Sequence, residues 1–355
     1  MSGLLRKTTH GIPLITAKIV KEGRLLDANE FIALEDYDNW MTRGYPEIDD
    51  IVLTTEAPLG EVALIKDKNV ALAQRIITLR GYKDRLDNRF LKYWFQSEYG
   101  QYELDARASG TTVFGIKASV LKKMLVPVPC LHEQKTIASV LSSLDDKIDL
   151  LHRQNKTLEE MAETLFRQWF IEEVKEDWKL GTLEHLIDLK YGKALKQEDR
   201  SGSGYPVVAS SGVVGFHNEY LVEGPGIVIG RKGTLGKVYF MEDSFYPIDT
   251  SYFIKTKIPE SNLLFEYYLL KSSDFANMNS DSAVPGLNRN LALGTPVQIP
   301  PLERIAEFNK LAKPWFSKIY TNTKQIQTLE KIRDTLLPKL MSGEVRVEYK
   351  KVDAA

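Results

Sequence analysis

One feature restricts this chain more than any other: a heptad seam. Ile137, Leu141, Leu144, Ile148, Leu151, Asn155, Leu158, Ala162, Leu165 and Trp169 follow one another at alternating steps of four and three. This is the a/d spacing of a coiled coil, with one polar member, Asn155, near its middle. No proline or glycine interrupts residues 133–170. The stretch is therefore expected to be a rod of about 55 Å at the rise of an α-helix. The pattern returns 171 residues later as Phe308, Ala312, Trp315, Ile319, Asn322, Ile326, Leu329, Arg333, Leu336 and Leu340. A lone a/d stripe cannot stay in water, so each helix needs a partner. The simplest expectation is that each is the other's.

The rest of the chain repeats with the helices. Asp50-Ile-Val-Leu-Thr-Thr-Glu-Ala-Pro-Leu-Gly-Glu-Val62 aligns without gaps on Gly226-Ile-Val-Ile-Gly-Arg-Lys-Gly-Thr-Leu-Gly-Lys-Val238, and Gln74–Thr78 falls on Thr250–Ile254 at the same offset. Each block reads as strand, turn, strand, with Gly60 and Gly236 in the turns. Leu91–Phe95 matches Phe265–Leu269 as a short aromatic helix. Val113 and Gly115 match Val284 and Gly286, and Val126–Leu131 matches Val297–Leu302. The expected fold is α+β: two strand-rich mixed globular domains and two long helices, related by a pseudo-two-fold internal repeat. The expected boundaries are 1–132 for the first domain, 133–173 for the first helix, 174–302 for the second domain, 303–341 for the second helix and 342–355 for a C-terminal tail. The second domain opens with a lead of about 15 to 20 residues, beginning Asp177-Trp-Lys-Leu-Gly-Thr182, for which the first has no counterpart. The tail lies on that lead at offset 171, so it is a candidate to close back onto the first domain. A naturally short start with a frayed tail fits equally.

The polar members of the seam orient the pair. An antiparallel arrangement about residue 153 sets Asn155 against Asn322 and Leu151 against Ile326. A parallel one buries two amides against aliphatic partners, at about 1–3 kcal/mol for each amide left unpaired. Antiparallel pairing, with Asn155 and Asn322 holding the register, is the expectation. Further apolar residues lie off the seam at matched places: Val140 with Leu311, Met161 with Ile332, Phe166 with Leu337, Phe170 with Met341. They could pack on the globular domains or seat helices of partner subunits.

The totals exclude several classes. The chain has 47 basic and 48 acidic side chains, so any anion-binding surface must come from local segregation of charge. There is one cysteine, Cys130, and no Cys/His cluster with zinc spacing. No signal peptide and no 18-residue apolar run stand in the sequence, so a membrane role is not expected, and a reducing, cytoplasmic setting is. Gly230–Val238 resembles a P-loop only superficially: five residues separate Gly230 from Gly236, and Val238 stands where Ser or Thr must hold magnesium. No G-x-G-x-x-G joins a strand to a helix, and the five histidines are scattered. No catalytic or metal site is expected.

The candidate binding residues concentrate at equivalent turns of the two domains. In the second they are Ser210, Ser211, His217, Asn218, Arg231, Lys232, Thr234, Asn288, Arg289 and Asn290. In the first they are Thr54, Thr55, Gln74, Arg75, Arg107, Ser109, Thr111, Thr112 and Lys117. These are the side-chain types that read base edges and hold phosphates, although any one of them could be a solvated loop residue. The sets differ, since Arg231 and Lys232 stand where the first domain has Thr55 and Glu56. Like scaffolds with unlike tips suggest two recognition surfaces.

The order of parts resembles the specificity subunit of type I restriction-modification systems. Ser109-Gly-Thr-Thr112, Val126-Pro-Val-Pro-Cys-Leu-His-Glu-Gln-Lys135, Leu165-Phe-Arg-Gln-Trp-Phe170 and Trp178-Lys-Leu-Gly181 carry the resemblance. The second copy keeps Ile299-Pro-Pro-Leu302 but has Glu303-Arg304 in place of Glu-Gln. The resemblance implies a non-catalytic chain whose two domains each read half of a split site in double-stranded DNA, with the helices as spacer. It implies two methyltransferase subunits that bring S-adenosylmethionine, and motor-nuclease subunits that bring ATP and magnesium. The off-seam stripe would then seat the methyltransferases. A scaffold that joins two partners without touching DNA is the alternative.

Overall fold

The computed structural model describes residues 7–110, 113–278 and 286–347. The chain divides into two compact units, Met1–Leu150 with Ile326–Ala355, and Leu151–Gln325. Each unit holds one strand-rich domain and a stretch of both long helices.

The helices span Leu131–Arg167 and Leu302–Ser342. Their starts follow the prolines at 127 and 129 and at 300 and 301, which cannot sit inside an α-helix without losing a hydrogen bond. The first ends differently from the expected uniform rod. Gln168–Glu172 widens into a π-turn, with the Glu173 amide donating to the Gln168 carbonyl at 2.9 Å. The second stops at Gly343, whose φ of +76° suits glycine.

Within each unit the helices run antiparallel. In the first, Ile137, Ala138 and Leu141 pack with Leu340. In the second, Ala162 and Phe166 pack with Phe308 and Ala312. Nδ2 of Asn322 donates to Oδ1 of Asn155 at 2.9 Å, and Nδ2 of Asn155 donates to Oγ1 of Thr323 at 3.3 Å. Asn322 is fully buried.

The first unit's central sheet is three antiparallel strands in the order Leu59–Leu64, Ile51–Thr55, Ile76–Leu79, with Ile51 opposite both Leu64 and Leu79. Its inner face (Ile51, Leu53, Val62) meets Leu91, Trp94 and Phe95 of the helix Asn88–Gln96. Asp87 caps that helix by accepting from the amides of Arg89 and Phe90, the usual service of an N-cap carboxylate. The second unit repeats the sheet as Ser251–Thr256, Gly226–Gly230, Val238–Met241 and backs it with the helix Leu264–Ser272. In each unit a second sheet contains a parallel pairing, Leu14 with Ala71 and Val207 with Tyr246. The turn glycines are held tightly. A Cβ on Gly60, at φ +88°, would stand 2.7 Å from the Gln101 carboxamide, and one on Gly236, at φ +69°, 2.6 Å from Phe275.

The lead residues supply two strands with no equivalent among the described residues of the first unit. Lys179–Thr182 pairs with Pro296–Ile299, and Ile187–Tyr191 adds to the central sheet beside Ser251–Thr256. The second of these brings Lys190 and Tyr191 next to the loops that carry the candidate residues.

Candidate nucleic-acid interface

In the second unit the hairpin after Gly230 is fastened through its backbone. The amides of Arg231 and Lys232 both donate to the Thr250 carbonyl, at 2.9 and 3.0 Å, and the Leu287 amide donates to the Arg231 carbonyl at 2.9 Å. The Arg231 side chain is fastened too. Nη1 donates to the Asp249 carbonyl at 3.0 Å, and the guanidinium lies 4.9 Å from the Tyr191 ring centre and 5.6 Å from that of Tyr252. A cleft of about 330 Å³ opens beside it, lined by Leu189, Lys190, Tyr191, Asn288, Arg289 and Asn290. Two of the lining cations, Lys190 and Arg289, share one carboxylate partner. Asp188 accepts from both Lys190 and Arg289, and these partners, Lys190 foremost, hold its carboxyl below the ordinary range.

The structure thus gathers Arg231, Asn288, Arg289 and Asn290 in one place and leaves Lys232 and Thr234 exposed at the hairpin tip. Two of these side chains have structural duties. Oδ1 of Asn288 caps the short helix Arg289–Leu293, and Nε of Arg289 donates to the Leu189 carbonyl at 2.7 Å. Lys190 and Tyr191 complete the cleft and were missed from sequence, because the strand that carries them was not placed beside the hairpin. The other candidates separate. Ser210 is buried near the hairpin, its carbonyl accepting from the Tyr239 hydroxyl, and Ser211 is exposed. His217 and Asn218 stand beyond them, at the far end of the strand Gly212–His217, about 17 Å along at the usual rise. The His217 ring packs on Tyr246.

In the first unit the equivalent turn is neutralised. Arg75 pairs with Glu56 at 2.7 Å and Arg107 with Glu103 at 2.6 Å. Thr55 exchanges backbone bonds with Arg75 and Ile116, and Ser109 with Gly115. Gln74 and Lys117 are exposed. Thr54 must be corrected. It is fully buried, and its hydroxyl accepts from the Glu61 amide at 2.9 Å, so it serves the turn and not a ligand. Thr111 and Thr112 lie outside the described residues.

The off-seam stripe also needs correction. Phe166 and Phe170 are core residues of the second unit, their rings 5.8 and 4.9 Å from that of Phe265, and are closed to any partner helix. Val140, Leu337 and Met341 are half-buried against Phe90 and Tyr93. Met161, Leu311 and Ile332 remain on the surface, 42–45 % exposed.

Among the described residues no group of histidine, cysteine and carboxylate side chains is arranged to hold a metal, and no helix is long and apolar enough to cross a membrane.

Two DNA-reading candidates on a repeated scaffold, carried by paired long helices, define a family that comparison with known proteins identifies. The model of the type I restriction modification DNA specificity domain matches twice, over residues 6–160 and 175–331. The chain belongs to that family. It is 28 % identical over 343 residues to the type I restriction enzyme MjaIX specificity subunit of Methanocaldococcus jannaschii, covering 84 % of this chain and 78 % of the relative. It is 26 % identical over 314 residues to the EcoprrI specificity subunit of Escherichia coli, covering 81 % and 75 %. The crystal structure of a type I restriction-modification S subunit from M. genitalium has the same fold, with a TM-score of 0.63 at 23 % identity over 98 % of this chain and 97 % of that one.

Proposed function

We propose that this chain selects the DNA site for a type I restriction-modification complex and performs no chemistry itself. Each globular domain reads one half of a bipartite double-stranded site, and the helices set the gap between the halves. The supporting observation is the inequality of two equivalent turns. Arg231 and Lys232 project from the second domain where the first presents Glu56 closed on Arg75. Identical tips would read identical half-sites.

On this reading the domain boundaries expected from sequence are functional ones, 1–132 and 174–302 being the two target-recognition domains. The exposed Met161, Leu311 and Ile332 are the part of the stripe open to methyltransferase subunits, which bring S-adenosylmethionine. Motor-nuclease subunits bring ATP and magnesium, and the assembly works in the cytoplasm. The start of the tail returns to the first domain, as Val347 packs against the cluster of Phe90, Tyr93 and Ile137. Near-neutral charge suits a chain whose phosphate contacts are shared across an assembly.

The test is co-expression of the chain with the modification subunit of its own system, followed by genome-wide mapping of methylated adenine. The expected result is methylation at one two-part sequence with a fixed gap. A scaffold that does not touch DNA would yield no sequence-selective methylation.

A further inference from the structure

We propose that Arg231 reads a guanine in the half-site of the second domain, and that Tyr191 is the positioning residue that makes it able to. The inference rests on the DNA-recognition reading above and assigns the contact within it.

Most arginines of the two turns are spent on carboxylates: Arg75 on Glu56, Arg107 on Glu103, Arg289 on Asp188. Arg231 is held instead by a carbonyl oxygen and two aromatic faces. A carbonyl and a ring orient a guanidinium but leave its charge uncompensated. Nη1 donates to the Asp249 carbonyl and the guanidinium also meets the Tyr252 hydroxyl, which leaves three of its five N–H donors for a ligand. Two donors of a planar fork are the pattern that matches O6 and N7 of guanine in the major groove. The backbone on either side is tied to Thr250 and Leu287. The side chain therefore gives up little freedom on binding, which is where a long cation otherwise loses affinity.

The guanidinium is anchored on the backbone carbonyl of Asp249, and Asp188, next in sequence to the cleft-lining Leu189, is paired with Lys190 and Arg289. The planar fork suits a base edge or a phosphate, and a series of substituted duplexes separates the two. The cleft wall offers Asn290 and the amide nitrogen of Asn288, groups suited to neighbouring base edges. Lys232 is exposed at the hairpin tip, where it can meet the DNA backbone.

Tyr191 touches no DNA in this account. Its ring is the closer of the two faces under Arg231, and it is itself supported by the ring of Tyr252 at 5.0 Å. Removing the ring frees the guanidinium to swing off the line of the fork.

The test uses the full chain in its complex with the modification subunit, and compares methylation rates on the cognate duplex and on duplexes substituted one base pair at a time. Arg231→Gln should reduce discrimination at one G·C position of one half-site by roughly 5- to 150-fold, the range of a bidentate contact, with the other half-site unaffected. Arg231→Lys should lose it too, because an ammonium presents no fork. Tyr191→Phe should behave as wild type, and Tyr191→Leu should lose discrimination at the same position as Arg231→Gln. An equal loss on every duplex, with a shallower salt dependence, would make Arg231 a phosphate contact and overturn the proposal. So would unchanged discrimination in Arg231→Gln. Full discrimination in Tyr191→Leu would remove Tyr191 from its role. A wild-type complex that methylates no two-part site would instead sink the underlying reading, and this inference with it.

Discussion

Asp145 of the first long helix is the place where a single substitution should do most damage to the first unit. Its carboxylate accepts from Nζ of Lys92 at 2.6 Å, from the Tyr93 hydroxyl at 2.7 Å and from Nη1 of Arg333 at 3.2 Å. The side chains of Lys92 and Asp145 are only 5 % and 12 % exposed. That decides the magnitude. An exposed pair contributes about 0–1 kcal/mol, whereas deleting one member of a buried pair costs about 3–5 kcal/mol, because the other charge is left in a poor solvent. Asp145→Ala strands Lys92 and half of Arg333. Part of the cost is recoverable, since burial already pulls the Lys92 ammonium below its usual range and it can shed its proton. Arg333 cannot. The expected loss is about 3–5 kcal/mol, or roughly 6–20 °C in melting temperature for a unit of this size. Denaturant melts of the full chain measure it, and amide exchange localises it to the helix Asn88–Gln96. Lys92→Met combined with Asp145→Leu removes both charges and should recover most of the loss. A penalty below about 1 kcal/mol for Asp145→Ala would refute the reasoning, and so would a double variant as unstable as the sum of the singles. The pH dependence has a definite sign. Burial alone would raise the Asp145 carboxyl, but Lys92, Tyr93 and Arg333 outweigh it and hold it below the ordinary carboxylate range. A depressed carboxyl contributes stability above its unfolded pKa and loses it as pH falls through the folded one. The Asp145→Ala deficit should therefore shrink only in strong acid.

Three other substitutions probe polar groups in the second unit. Asn155→Leu leaves the fully buried Asn322 without its 2.9 Å acceptor and should cost about 1–3 kcal/mol by chemical denaturation. Asn322→Leu should cost less, because Asn155 keeps Thr323. Glu266 is fully buried, and burial raises its carboxyl above 4.5 despite hydrogen bonds from Thr256 and Ser261. A raised carboxyl favours the fold in acid and weakens it as pH rises through the folded value. Glu266→Gln should therefore gain stability relative to wild type between pH 4 and pH 8, and a constant difference across that range would contradict the argument.

The helices and the repeat were legible because both leave periodic marks. A heptad stripe and a two-strand turn survive divergence as spacing, and Asn155 with Asn322 carried the chain direction. The misreadings have a common physical cause, which is that a residue type does not say what covers it. Phe166 and Phe170 read as a docking stripe because an aromatic side chain looks the same whether a partner or its own domain buries it. Thr54 read as a ligand contact because a hydroxyl that caps a turn and one that meets solvent are the same residue. Lys92 and Asp145 drew no notice, since isolated charges in a helix pattern read as surface. Tyr191 was missed because its strand comes from the lead and meets the hairpin only after the sheet has formed.

The central claim is that two domains read and the helices measure. Inserting one heptad into each helix, after Leu151 and after Asn322, preserves the a/d seam and lengthens the pair by about 10 Å. That is about three base pairs of duplex at 3.4 Å per step. Adenine methylation mapped with this variant should show both half-sites unchanged and the gap between them about three base pairs longer. A changed half-site sequence, or continued methylation at the original gap, would contradict the account.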